Sequence, residues 1–222
     1  MGHIPHLYVP GPWTASGLAL ESSHQHHLAK VLRMTDGDPV TYTDGAGTTG
    51  QGSLRDGGIE RGDESHVART ITVGVAAAPP SSRQRCRFLV EKLAELAVER
   101  LIWVSTRHTQ GRPPPEDKAN TWIKGALEQS RGAWVMETSH AVIGDLDTEQ
   151  LIVAQPSGEA SVSVASSGTP LLLVGPEGGL DEDEIPPDVP RISLGPTVLR
   201  VETAAVVGAS LLSRMQGLRG NH

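Results

Sequence analysis

Two short runs constrain this chain more than any other feature: "LIVAQP" at 151–156 and "PLLLVG" at 170–175. Each is apolar over four residues and is then stopped by proline or glycine. A strand with water on one face alternates apolar and polar side chains. A run without alternation needs cover on both faces, as parallel strands between helices have. "RLIWVST" (100–106) reads the same way. Around these runs lie stretches at helical spacing. "RFLVEKLAELAVE" aligns Phe88, Leu89, Leu93, Leu96 and Ala97, and "EDKANTWIKGALEQSR" aligns Trp122, Ile123, Ala126 and Leu127. "TAAVVGASLLSRMQGL" makes a final helix. Strands alternating with helices predict an α/β domain with a parallel sheet. "SGEASVSVASSGT" (157–169) is expected to be a loop, with a weak strand as the alternative.

The first 75 residues have a different texture. "HLYVP", "PVTYT" and "ARTITVGVA" are β-branched or alternating, and glycine turns such as "DGAG" punctuate them. One helix fits inside, "SSHQHHLAKVLRM", capped by Ser22 or Ser23, with Leu28, Val31 and Leu32 on one face and Asp36-Gly37 at its end. These features predict a small β-barrel with an embedded helix over 1–77. "APPSSRQR" (78–85) reads as a linker into a second domain, 78–222. Its 222 residues suffice for a large core. With aromatics at 3%, that core rests on Leu, Val, Ile and Ala.

Cys86 is the only cysteine, which excludes an internal disulfide and a cysteine zinc site. The opening "MGHIPHLYVPGPW" lacks the pattern of a signal peptide, and no stretch is apolar enough to span a membrane. A cytoplasmic protein is therefore expected. The formal net charge of −7 argues against indiscriminate nucleic-acid binding, while leaving room for a local basic face. His24 and His27 lie three apart on a helix with no cysteine nearby in sequence, and this pair is not read as a metal site, so no metal is expected.

In open α/β sheets, ligands bind beyond the carboxyl ends of the strands. "GPEGG" (175–179) occupies such an end. Gly178 and Gly179 let backbone amides approach a ligand. Asp181 and Glu184 have the spacing of a capping box, and Pro186-Pro187 stop that turn at once. The loop is no phosphate cradle: it lacks the lysine of a P-loop, and acids follow it. A cationic centre or a neutral purine suits it better. A second loop, "SLGPTVLRVETAA", follows the strand "RIS" and offers Leu194, Gly195 and Leu199 to a flat ring. Arg200 and Glu202 stand beside it at the start of the last helix.

The pairing of "LLLVGPEGG" with "ISLGPTVLRVETA" resembles the signature of the SPOUT-class 16S ribosomal RNA uridine-N3 methyltransferases, the RsmE type. "HHLAKVLRMTDGDPVTYTDGAG" is similar to that family's PUA-like N-terminal barrel, and "VEKLAELAVERLIWVSTR" and "ALEQSR" to its first helix, strand and next helix. The resemblance implies a C-terminal trefoil knot, with helices on both faces of a parallel sheet. It implies S-adenosylmethionine bound by Val174, Gly175, Glu177, Gly178 and Gly179 of the first loop and by Leu194, Gly195, Val198 and Leu199 of the second. Gln155 lines the third side. It further implies a homodimer and small-subunit ribosomal RNA as partner. Arg107 and Arg131 match family positions near the RNA, and Lys30 and Arg33 are placed to meet its backbone.

Methyl transfer to uracil N3 requires loss of the N3 proton. Arg200 is the candidate to steady the charge that develops, or else an RNA phosphate anchor. Glu202 is the candidate base, or else the group that orients Arg200. The chain also departs from the family. Ala97 stands where glycine is usual, and "GAWVMET" lacks the usual arginine and proline. "RHTQGRPPPED" diverges after Arg107, and "LDEDEIPPDVPRIS" is short. Two further readings therefore stand beside the first: a paralogue that methylates another RNA, and a module that binds cofactor and RNA without catalysis.

Overall fold

The computed structural model describes residues 4–70, 72–159 and 168–219. The chain forms two compact units: Met1–Arg69 with Lys124–Val135, and Thr70–Ile123 with Met136–His222.

The first unit is built on a five-stranded sheet. Its strands are β1 (His6–Tyr8), β2 (Gly17–Ala19), β3 (Pro39–Thr43), β4 (Thr48–Arg55) and β5 (Gly58–His66), in the order β1-β3-β4-β5-β2. β1 runs parallel to β3 and the other pairs are antiparallel. Among the described residues β1 and β2 remain edges, so the strand pairing stops short of the expected closed barrel. Leu7, Leu18, Leu28, Val40, Tyr42 and Ile59 fill the concave face. The Tyr42 hydroxyl donates to Glu64 at 2.8 Å, and burial pushes its pKa up to about 12.

The embedded helix differs from expectation. α1 covers Ser22–His26, follows Glu21 as N-cap, and has no side-chain cap from either serine. It widens into a π-turn over His27–Val31, where the Leu32 N–H donates to the His27 carbonyl. That wider turn rotates the next residues outward. Leu28 stays buried, but Val31 is 61% exposed and Leu32 39%.

The second unit is a six-stranded, wholly parallel sheet of β6 (Gly74–Ala77), β7 (Arg100–Ser105), β8 (Glu137–Val142), β9 (Leu151–Glu159), β10 (Leu171–Val174) and β11 (Arg191–Ile192). β6, read from the sequence with the N-terminal strands, is thus central to this sheet. The strand order is β11-β9-β10-β6-β7-β8. β10 pairs with β9 on one side and β6 on the other, and all four of its residues are buried. This is the two-sided cover that its composition demanded. One face packs Leu171 and Leu173 with Val153, Ile143, Leu146, Ile185 and Val189. On the other face α4 (Val201–Arg219) packs against β10, β6 and α2 (Arg83–Glu95).

α2 buries Leu89, Val90 and Leu93 but leaves Phe88 44% exposed. α3 (Glu116–Ser130) buries Trp122, Ile123, Ala126 and Leu127 as its spacing predicts. Ser157–Glu159, expected in a loop, continue β9, while residues 160–167 lie outside the described residues.

Candidate cofactor and active site

A cavity of about 230 Å³ opens beyond the carboxyl ends of β9 and β10. Crevices beyond the carboxyl ends of strands are where ligands bind in open α/β sheets. β9 contributes Val153, Ala154, Gln155 and Pro156, the end of β10 and the loop after it contribute Val174, Gly175, Pro176, Glu177, Gly179 and Leu180, and the loop after β11 contributes Leu194, Gly195, Thr197, Val198 and Leu199, with Ile185 and with Val201 and Ala204 of α4 completing the wall. All the expected cofactor residues therefore meet there except Gly178. A Cβ on Gly178 would instead meet the His108 side chain at 2.9 Å. Gly179 (φ 81°) and Gly195 (φ 150°) have left-handed backbones, and a Cβ on either would point into open space. Gln155 keeps its buried Oε1 without a hydrogen-bond partner among the described residues.

The loop after β10 is held in shape from its far end. Asp181 and Glu184 form the expected reciprocal capping box around the turn Glu182–Glu184. Arg107, at the end of β7, donates to Asp181 at 3.0 Å and to Asp183 at 2.6 and 2.7 Å. His108 bonds Asp181 at 3.0 Å. Arg107, expected to face RNA, is thus engaged by this acidic turn, and the Asp183 hydrogen bonds raise its pKa.

Arg200 and Glu202 flank the start of α4 but face different surroundings. Arg200 is exposed and makes no side-chain hydrogen bond or ion pair among the described residues. Glu202 is 6% exposed. Its Oε2 lies 3.7 Å from Arg85 Nη1 and has no hydrogen bond. Among the described residues no hydrogen bond or ion pair links Glu202 to Arg200, so the structure gives no support to an orienting role. Arg85, which the sequence did not single out, joins the parts. Its Nη1 donates to Glu177 Oε1 at 2.6 Å and its Nη2 to Ser81 Oγ at 2.8 Å. Burial alone raises the Glu177 carboxyl pKa. A hydrogen bond from its own backbone and the Arg85 guanidinium outweigh burial, and with Arg200 they hold it below the usual range. Cys86 is buried and remains a thiol, pushed up to about 11 by desolvation, with Sγ donating to the Pro80 carbonyl at 3.2 Å.

The other expected RNA contacts lie in the first unit. Lys30 and Arg33 are exposed, and Arg33 has a left-handed backbone at φ 56°. Arg131 donates to the Ile4 carbonyl and to Thr41 Oγ1. His24 is buried and bonds Glu128 at 2.8 Å, while His27 is exposed. The carboxylate near His24 was hidden by 104 residues of sequence separation.

A parallel α/β sheet with a glycine-lined cavity beyond its strand ends defines a ligand-binding α/β domain. A family model described as "RNA methyltransferase domain" matches residues 68–213, and the chain belongs to that family. Among similar proteins, "Ribosomal RNA small subunit methyltransferase E" of Mycobacterium bovis is 26% identical over 88% of this chain and 86% of its own length. The protein of the same name from Bacillus subtilis is 24% identical over 93% and 94%. The structure of ribosomal RNA small subunit methyltransferase E from Neisseria gonorrhoeae, bound to S-adenosylmethionine, superposes with a TM-score of 0.78. It is 21% identical and covers 96% of this chain and 98% of that one. A Legionella pneumophila protein described as a methyltransferase, solved with the cofactor SAM, has a TM-score of 0.81 at 24% identity over 96% and 98%. At these identities the two structures establish a shared fold.

Proposed function

We propose that the protein is an S-adenosylmethionine-dependent methyltransferase that modifies N3 of a uridine in 16S ribosomal RNA. The observation that carries this reading is the cavity: three strand-end loops enclose apolar walls and a glycine-lined lip, with an unpaired arginine beside it. The relatives named for small-subunit ribosomal RNA methylation support it.

The residues present fit that cofactor. Val174, Leu194, Leu199 and Ala204 offer apolar walls to a flat purine, and Gln155 has an acceptor without a protein partner. Gly175, Gly179 and Gly195 let the backbone approach, while Glu177, Gly178 and Val198 complete the loops. When bound, S-adenosylmethionine supplies an electrophilic methyl on a sulfonium, and Glu177, held ionised, matches that positive charge.

The remaining chemistry belongs to the chain. Uracil N3 is protonated at neutral pH and must lose that proton. Glu202 is the base in this reading: Oε2 is an unbonded acceptor, and Arg85 keeps a cation beside it. A positioned base contributes about 10²–10⁴-fold. The charge left on uracil spreads to its carbonyl oxygens, which the planar fork of Arg200 addresses.

The finer expectations belong to the same proposal. They are a trefoil knot around the two loops, a PUA-like RNA-binding domain over 1–77 with the knotted domain over 78–222, and a cytoplasmic homodimer. Lys30, Arg33, Arg107 and Arg131 contact RNA. To do so, Arg107 must exchange Asp181 and Asp183 for phosphate. That engagement favours a second reading, in which the same chemistry acts on another RNA.

The test is to incubate purified protein with 16S RNA and methyl-labelled S-adenosylmethionine, then digest to nucleosides. Label in 3-methyluridine is expected. Label in another nucleoside, or none, contradicts the proposal.

A further inference from the structure

A second cavity in the parallel-sheet unit lies outside the cofactor site. It measures about 480 Å³ and is lined by Pro80, Ser81, Arg83, Cys86, Gln110, Gly111, Arg112, Pro113–Pro115 and Lys118. Its charged lining is all positive. Arg83, Arg112 and Lys118 are exposed, and none has an acidic partner or side-chain hydrogen bond among the described residues. Four other arginines of this unit are ion-paired, Arg85 with Glu177, Arg87 with Glu91, Arg107 with two aspartates and Arg191 with Glu182, while Arg100, Arg200 and Arg214 have no such partner among the described residues and do not line this cavity. In a chain of net charge −7, unpaired cations converging on one concavity need an explanation.

The chain geometry brings them together. Gly111 packs so closely on the Pro79 and Pro80 carbonyls that a Cβ would overlap both. That contact seats the loop 110–115 against the residues that lead into α2, and Arg112 and Arg83 line the same cavity. The Cys86 thiol, bonded to the Pro80 carbonyl, fixes the floor. Three consecutive prolines restrict the wall, so little order is lost on binding. The lining has no aromatic ring on which a base could stack, and one amide, Gln110, to read a base edge.

We propose that this cavity is a phosphodiester-binding site that holds the RNA strand by charge, without reading its sequence. It takes the role that Arg107, bound to Asp181 and Asp183, does not fill in this structure. The inference rests on RNA as the substrate class.

Fluorescence anisotropy with labelled oligouridylate and oligoadenylate, over a range of salt, tests it. The variant Arg83→Gln/Arg112→Gln/Lys118→Gln is compared with a charge-matched control, Arg55→Gln/Arg87→Gln/Lys92→Gln, drawn from ion-paired cations. Unchanged circular dichroism and melting temperature establish that the cavity variant is folded. It should bind both oligonucleotides about tenfold or more weakly. Its plot of log affinity against log salt should be less steep by about 2, from three single-strand contacts. An unchanged slope, or an equal loss in the control, overturns the proposal, as does loss confined to one oligonucleotide. A wild-type protein that binds neither also overturns it. Calorimetric titration with S-adenosylmethionine then shows separately whether the cofactor reading stands.

Discussion

Glu202 and Arg200 lie two residues apart and have opposite surroundings. Glu202 is buried with one unbonded oxygen, and Arg85 compensates it across 3.7 Å. A buried carboxylate without a counter-charge is costly. Arg85→Gln is therefore expected to lower stability by about 1–3 kcal/mol, read from urea denaturation, and an unchanged midpoint would show that Glu202 needs no cation. Arg200 is exposed and has no ion-pair partner among the described residues. Arg200→Lys should bind cofactor almost normally and transfer the methyl about 10²-fold or more slowly, the scale of one preorganised donor. A phosphate anchor predicts weaker RNA binding with a normal rate at saturation, so an unchanged single-turnover rate there removes the catalytic role. Arg200 and Glu202 could be singled out as candidates because they follow a strand-end motif. Arg85 could not, because a sequence separation of 92 from Glu177 is bridged only by tertiary packing.

At the scale of elements, the end of α2 shows what one departure costs. The Ala97 N–H donates to the Ala94 carbonyl and the Val98 N–H to the Leu93 carbonyl, the pattern of a Schellman cap. Ala97 carries the left-handed position at φ 56°. A Cβ there costs about 1 kcal/mol, so Ala97→Gly should raise the urea midpoint by that scale, and a lower midpoint would contradict the assignment. The turn after β10 makes a pH prediction. Hydrogen bonds from His108 and Arg107 lower the Asp181 pKa, Arg107 lowers that of Asp183, and Arg191 lowers that of Glu182. Depressed carboxylates contribute stability above their unfolded values of 3.8 and 4.5 and lose it as pH falls through the folded ones. The melting temperature should hold above pH 4.5 and drop below 3.8, less steeply in Arg107→Gln; parallel curves would remove the network from the account. The capping box was readable from Asp181 and Glu184 alone. The hairpin of β4 and β5 had a signal, Asp56-Gly57 with both φ positive, in a stretch too polar to read as strands. The outward turn of Val31 and Leu32 had none, because a π-turn changes phase without changing composition.

For the whole molecule, the parallel sheet was legible because buried strands leave runs that nothing else explains. The strands of the first unit were legible too, but whether their edges meet was not, since alternation predicts strands and not closure. α4 carries Val207, 39% exposed, with Leu211 and Met215 half-buried one and two turns on. Such a stripe fits a homodimer contact, and light scattering at micromolar concentration should report twice the monomer mass; a monomer alone would contradict it. Methylation of uridine N3 in 16S ribosomal RNA is decided by mass mapping of that RNA's nucleosides from cells with and without the gene. Loss of one 3-methyluridine on deletion, restored by the wild-type gene and not by Arg200→Lys, is the result expected. An unchanged 3-methyluridine content in the deleted cells would contradict it.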